Sequence, residues 1–124
     1  MKQQIRRPDS AQEFFFEERC HILELSNSSD DPDLSIARAR VEPGETTRWH
    51  RLAETAERYL IASGEGSVEI GEMPAKTVTA GDLVIIPPMT PQRITNTGAE
   101  DLIFYAICTP RFLPGNYQQL ESDE

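Results

Sequence analysis

The chain has few cysteines, and they are not arranged in pairs. Cys20 and Cys108 are the only two in 124 residues, and no C-x-x-C spacing occurs. This pattern excludes the disulfide framework of small secreted domains and disfavours a structural zinc site. We therefore expect two free, mostly buried thiols in a reducing compartment.

Basic clusters and long hydrophobic runs are also missing. The chain has 12 lysines and arginines against 21 aspartates and glutamates, which gives a net charge of −9. An acidic surface repels phosphate backbones, so we expect no nucleic-acid partner. The apolar run Phe14–Phe16 is too short for a signal peptide or a membrane span. We therefore expect a cytoplasmic protein without a membrane partner.

The length of 124 residues predicts one domain, residues 1–124. The regular part of the chain covers about residues 34–109. Residues 1–12 and 112–124 are predicted to be a flexible arm and tail, with one helical turn near residues 116–120.

Short segments rich in valine, isoleucine, tyrosine and phenylalanine alternate with glycine, proline and asparagine. This punctuation is typical of an all-β sandwich or barrel. The predicted strands are 19–25, 34–41, 46–52, 57–62, 67–70, 76–79, 83–86, 92–96 and 102–109. Residues 83–86 are continuously apolar, so this strand is expected to be buried on both faces.

Two segments carry chemically distinctive residues at regular spacing. The first contains Gly44, His50, Leu52, Glu57 and Gly64. In an extended strand His50 and Leu52 share one face, because side chains alternate. The turn after Leu52 resets the alternation, so Glu57 on the next strand can point to the same interior.

The second segment contains Gly81, Pro87, Met89, Gln92 and Asn96. Together the two segments resemble the two sequence motifs of the cupin superfamily. The spacing is kept, but Leu52 and Gln92 stand where the motifs have histidine, and Met89 stands where the second motif has glycine. The resemblance implies an all-β double-stranded β-helix, the cupin jelly-roll barrel.

The resemblance also implies a ligand site inside the barrel. Cupins commonly hold a divalent metal (Fe, Mn, Ni, Cu or Zn) on three histidines and a glutamate, and here His50, Glu57 and Gln92 occupy ligand positions. Imidazole and carboxylate are good ligands, whereas a neutral amide is a weak one. The alternative is a buried hydrogen-bonded group of these three side chains without metal.

Two further side chains are expected near this pocket. Tyr59 shares the strand parity of Glu57, and Cys108 lies on the inward face of the last predicted strand. For each residue the alternative is an ordinary core position.

Three function classes follow from this interpretation. The chain is a metal-dependent enzyme acting on a small polar metabolite, such as an isomerase, lyase or dioxygenase; a metal-free small-molecule-binding protein; or a scaffold module. Small single-barrel cupins are commonly dimers, and Phe14–Phe16 offers an apolar surface. A homodimer is therefore expected.

Overall fold

The computed structural model describes residues 1–121, and strands dominate it. Residues 122–124 of the predicted tail lie outside the described residues. Two short 3-10 helices occur, at Ser10–Gln12 and Pro114–Asn116. No helix within residues 1–121 is long and apolar enough to cross a membrane. The strands are β1 (Phe14–Phe16), β2 (Cys20–Ser26), β3 (Ser35–Val41), β4 (His50–Leu52), β5 (Ala56–Ser63), β6 (Glu65–Ile70), β7 (Lys76–Thr79), β8 (Leu83–Ile86), β9 (Gln92–Asn96), β10 (Leu102–Thr109) and β11 (Tyr117–Gln119).

These strands form two antiparallel sheets that enclose one core. The larger sheet has the order β1-β2-β3-β10-β5-β8, and the smaller has the order β11-β4-β9-β6-β7. Consecutive strands repeatedly belong to opposite sheets, which is the double-stranded β-helix that the motifs predicted. The buried apolar side chains that form the core include Ala39, Val41, Tyr59, Ile61, Val68, Val78, Val84, Ile86, Ile94, Leu102 and Phe104.

Strand β10 shows how the sequence pattern builds this core. Leu102, Phe104 and Cys108 are buried, whereas Ile103 and Tyr105 are partly exposed. The alternation follows from the pleat of a strand, whose successive side chains point to opposite faces. Full burial of one large apolar side chain contributes about 1.5–3 kcal/mol, so this strand is a central part of the core.

Strand β8 corrects one expectation. Its run of four apolar residues predicted burial on both faces, but Leu83 is 56% exposed and Ile85 is 63% exposed, while Val84 and Ile86 are buried. The reason is topological, since β8 is the edge strand of the larger sheet and the outer face of that sheet is open.

Two other segments also differ from the expectation. The predicted strand 46–52 is shorter, because β4 begins at His50 and Thr46 makes only an isolated bridge to Thr95. The predicted helical turn near residues 116–120 is a strand instead, because β11 pairs with β4. A three-residue strand has no periodicity of its own, so pairing decides its conformation.

Three motif residues support the scaffold rather than a ligand. Gly64 has φ +89°. Met89 stands at the motif glycine position and still has φ 64°, so the turn keeps the left-handed backbone that glycine favours. The buried Asn96 amide donates to the carbonyls of Val41 and Glu100, at 2.9 Å and 2.7 Å. The motif spacing therefore persists although ligand positions have changed.

A matched pair of glycine substitutions measures how tightly this scaffold is packed. A Cβ at Gly64 would lie 2.7 Å from the Asp101 carbonyl oxygen, whereas a Cβ at Gly44 (φ +81°) would meet nothing within 4 Å. We expect Gly44→Ala to cost about 1 kcal/mol of unfolding free energy from backbone strain alone. Gly64→Ala should cost about 3 kcal/mol, because the overpacking adds to that strain. Urea denaturation checks this, and equal costs would contradict the predicted clash.

Candidate functional site

A cavity of about 80 Å³ lies between the two sheets, where the first-motif residues face inward. Strands of both sheets form its walls, and the two terminal segments cover it. Its lining residues are Phe14, Phe16, Glu18, Ile22, Glu24, Ser35, Ala37, Ala39, His50, Leu52, Glu57, Tyr59, Phe104, Ala106, Cys108, Phe112 and Tyr117. The predicted pocket residues His50, Glu57, Tyr59 and Cys108 therefore share one cavity.

His50 is held in one orientation by its backbone neighbours. His50 is the first residue of β4 and is only 2% exposed. Its Nδ1 lies 2.7 Å from the carbonyl oxygen of Arg48. Because a carbonyl oxygen can only accept, Nδ1 carries a hydrogen and donates it. The other ring nitrogen, Nε2, lies 3.3 Å from Oε2 of Glu18.

Glu18 is a site residue that sequence reasoning missed. It lies in the turn between β1 and β2, where Arg19 has φ 70°, and its carboxylate reaches into the cavity. The thiol of Cys20 donates to Oε1 of Glu18 at 2.9 Å. No motif surrounds Glu18, and an acidic residue in a turn ordinarily faces solvent. Only the folded position of the hairpin reveals its role.

His50 and Glu18 face each other at the cavity. Since Nδ1 donates to the carbonyl of Arg48, Nε2 is the ring nitrogen directed at the carboxyl group, 3.3 Å from Oε2 of Glu18. A hydrogen between these two atoms makes a hydrogen bond, whereas two lone pairs would repel each other. The geometry therefore places an imidazole and a carboxyl group where they can share one hydrogen bond.

Glu57 is the buried acid of the site. It is only 8% exposed, its Oε1 accepts from Nε2 of Gln92 at 2.8 Å, and Oε2 lies 3.8 Å from the thiol of Cys108. The pKa of Glu57 is raised to about 7, chiefly by burial and secondly by the negative charge of Glu18. The charge of His50 and the hydrogen bond from Gln92 act in the opposite direction.

Gln92 lies behind this acid and is fully buried, but it is not among the residues that line the cavity. Its amide nitrogen donates to Glu57, and its amide oxygen accepts from the hydroxyl of Tyr59. Burial raises the pKa of Tyr59 well above its ordinary value, so the hydroxyl keeps its proton and remains a donor. The chain Tyr59–Gln92–Glu57 therefore fixes the orientation of the carboxyl group.

Tyr117 is a second residue that sequence reasoning missed. It belongs to β11, in the segment predicted as tail, and its ring stacks on His50 with centroids 5.1 Å apart. Its hydroxyl is buried without a hydrogen-bond partner among the described residues. This hydroxyl gives the cavity wall an unsatisfied polar group.

The thiols of Cys20 and Cys108 are free and buried, which confirms the expectation for both. Burial is the largest cause that raises the pKa of each thiol, and nearby carboxylates raise it further. Both therefore stay protonated near neutral pH and are poor nucleophiles.

Comparison with known families decides the relationship that the motifs suggested. The Cupin domain family matches residues 37–108 of this chain. The chain belongs to the cupin family. This cupin is also similar to the glucose-6-phosphate isomerase of Thermococcus onnurineus, with 27% identity over 130 residues, 86% of this chain and 69% of the relative. The corresponding isomerase of Thermococcus gammatolerans is 26% identical over 98 residues, and the match spans 52% of its length.

Solved structures show the same fold at low sequence identity. The nucleoside dehydratase Pac13 matches with a TM-score of 0.76 and 17% identity, over 95% of this cupin and 92% of that chain. KdgF from Halomonas matches with a TM-score of 0.71 and 17% identity, over 81% and 88% of the two chains. A cupin 2 conserved barrel protein from Salinispora arenicola has a TM-score of 0.73, 19% identity and coverage of 88% and 90%.

The side chains of this cupin do not fit the metal site that the resemblance implied. Leu52 is buried and has no ligand atom, and both polar atoms of Gln92 are engaged by Glu57 and Tyr59. Nε2 of His50 faces Glu18. Within residues 1–121, no group of three or more histidine, cysteine, aspartate or glutamate side chains is placed to hold a metal ion. Glu57 and Gln92 are hydrogen-bonded to each other, whereas His50 faces Glu18 and not Glu57.

Proposed function

We propose that this cupin is an enzyme that moves protons on a small polar metabolite bound in the central cavity, as an isomerase or a lyase does. Glu57 and His50 are the acid–base groups. The observation that carries the proposal is that Glu57 lines an internal cavity in surroundings that raise its pKa to about 7. General acid–base catalysis is most effective when the pKa lies near the working pH.

Two proton carriers in one cavity suit these reaction types. Isomerisation and elimination both remove a proton at one atom and deliver one at another. Glu57 can exchange a proton near neutral pH, and the imidazole of His50, 3.3 Å from Glu18, is the second acid–base group. The fixed orientation from Gln92 and Tyr59 keeps the carboxyl group aimed without a metal.

The relatives support the same class of chemistry. Two are named glucose-6-phosphate isomerases, and one structural neighbour is named a nucleoside dehydratase. Their substrates differ, and their sequence identities to this cupin are 27% or lower. They therefore support the reaction class. The substrate has to be inferred from the shape and charge of the cavity.

Hydrogen exchange into deuterated water tests the proposal without a known product. The protein is incubated in D2O with neutral sugars, hydroxy acids and small amines, and loss of carbon-bound hydrogen is followed by NMR. We expect exchange in at least one compound class. The exchange rate should fall about 100-fold or more in Glu57→Gln and in His50→Gln, because each variant removes an acid–base group.

Control variants and added metals separate the alternatives. Glu72→Gln, on an exposed turn, should leave the exchange rate unchanged. Binding without exchange in any class would overturn the enzyme proposal and favour the metal-free binding protein. Exchange that disappears after chelation and returns with Mn, Fe, Ni, Cu or Zn would favour the metal-dependent alternative instead.

Two earlier expectations stay predictions. The homodimer is supported by apolar side chains exposed on the larger sheet, namely Phe14, Phe15, Leu60, Leu83 and Ile85. Exposed apolar patches often mark protein–protein contacts. The cytoplasmic location is supported by the two free thiols.

A further inference from the structure

The charges on the cavity wall are of one sign. Among the described residues, three glutamates line it, Glu18, Glu24 and Glu57, and His50 is the one lining side chain that can become cationic. Among residues 1–121, no lysine or arginine lines the cavity. Three carboxylates against one imidazole leave a net negative formal charge on the wall even when His50 is protonated. The field is therefore negative.

A negative field of this kind disfavours an anionic ligand. A phosphate or carboxylate placed in the cavity would meet carboxylate oxygens, and within residues 1–121 no lysine or arginine lines the cavity to neutralise it. Binding sites for such groups normally use arginine, lysine or helix N-termini. The charge of the wall therefore argues against sugar phosphates and organic acids as ligands, and favours a ligand that is positively charged.

Aromatic side chains form much of the remaining wall. Phe16 and Tyr117 make an edge contact with ring centroids 5.2 Å apart, and Tyr59 and Phe104 pack with centroids 4.3 Å apart. Both pairs line the cavity. The face of an aromatic ring attracts a cation, and this attraction strengthens when water is excluded.

Two oxygen atoms at the cavity lack a strong hydrogen-bond partner. Within residues 1–121, Oε2 of Glu57 has only the thiol of Cys108 at 3.8 Å, and the hydroxyl of Tyr117 is buried without a partner. An ammonium group has three N–H donors and no acceptor. It complements this set of acceptors, whereas a carboxylate would add further acceptors.

We propose that the ligand of this cavity is a small organic ammonium ion that donates to Oε2 of Glu57 and the hydroxyl of Tyr117, and that the negative charge of Glu18 and the surrounding aromatic faces add to its attraction. The inference rests on the proposed function, because it assigns the substrate class of the same site. An apolar cavity of about 150 Å³ holds benzene, so the cavity of about 80 Å³ suits a ligand of about three or four non-hydrogen atoms.

Three compounds of nearly equal size test the charge preference. Propylammonium chloride, propan-1-ol and sodium propionate are titrated into the full-length protein by calorimetry or ligand-observed NMR, at pH 8 and constant ionic strength. We expect propylammonium to bind about tenfold more tightly than propan-1-ol, since a charge-assisted hydrogen bond is stronger than a neutral one. Propionate should not bind measurably.

Variants test which residues cause the preference for propylammonium over propan-1-ol. The double variant Glu18→Gln/Glu57→Gln should lose the tenfold preference, because both carboxylates become neutral amides of similar shape. The control Glu72→Gln should keep it. Thermal unfolding of each variant without ligand establishes that the fold is intact. If the double variant is unfolded, Glu57→Gln alone is used, and its preference should fall at least threefold.

The outcomes that overturn the inference differ from those that overturn the proposed function. Equal binding of propylammonium and propan-1-ol, tighter binding of propionate, or no binding of any of the three would refute the ammonium assignment. Deuterium exchange in a neutral sugar or a hydroxy acid would keep the enzyme proposal and refute the ammonium ligand. Ammonium binding without exchange in any compound would keep the ammonium ligand and refute the enzyme proposal.

Discussion

Between pH 4.5 and pH 8.5, the unfolding free energy of the wild type should fall by about 3 kcal/mol relative to that of Glu57→Gln. In the folded protein the pKa of Glu57 is raised from 4.5 to about 7. Below pH 4.5 both states are protonated, so the stabilising contribution is fully present. As the pH rises above 4.5, the unfolded chain releases its proton first, so the stabilising contribution decreases. The decrease ends once the pH exceeds about 7, where the folded protein has released its proton as well. Each unit of pKa difference corresponds to about 1.4 kcal/mol.

Glu57→Gln is a conservative comparison, because its amide oxygen can still accept from Nε2 of Gln92. Urea denaturation at intervals of pH gives the two stability curves, and Glu72→Gln serves as an exposed control that should follow the wild type. Glu18→Gln removes the negative charge that raises the pKa of Glu57, so the loss of stability should end at a lower pH in that variant. Parallel curves for the wild type and Glu57→Gln would show that Glu57 titrates normally.

The second large effect is the creation of a metal site. Leu52→His combined with Gln92→His restores histidine at both changed motif positions, next to His50 and Glu57. We expect the double variant to bind one divalent transition metal ion per chain at least about 100-fold more tightly than the wild type, because changes in the outer ligand shell alone alter metal affinity by 10–100-fold. Equilibrium dialysis with Zn and Ni, followed by elemental analysis, measures this affinity.

Variants with fewer histidine ligands serve as controls for the new metal site. Each single variant should bind metal more weakly than the double variant, since each supplies one new ligand. Adding His50→Ala to the double variant should abolish the gain. If the wild type binds one metal ion as tightly as the double variant, Leu52 and Gln92 do not limit the site, and the metal-dependent interpretation of this cupin returns.

Much of the fold was predictable because its signals are local. The strands from β5 to β10 lie close to the predicted segments, and β10 shows the alternation of a pleated strand directly in its sequence. The turn residues Gly44, Gly64 and Gly81 have left-handed backbones. Each of these signals depends on a few neighbouring residues, so spacing in the sequence is enough to detect it.

The candidate site was only partly predictable, because some of its residues come from distant segments. Strand parity and motif position predicted a shared pocket for His50, Glu57, Tyr59 and Cys108, and all four line the cavity. Glu18 joins them only because the turn between β1 and β2 brings its carboxyl group to the cavity. Similarly, Tyr117 reaches His50 only because the end of the chain pairs with β4.

The hydrogen-bond partners of Gln92 were also not predictable from the sequence. Its position in the motif predicted an oxygen directed at a metal, but its amide donates to Glu57 and accepts from Tyr59. The sequence by itself determined the barrel and the strand faces, because chain alternation and turn conformation are local properties. The tertiary structure decided the charge of the cavity, the burial of Glu57 and the partner of His50, because these properties depend on which distant groups exclude water from the same space.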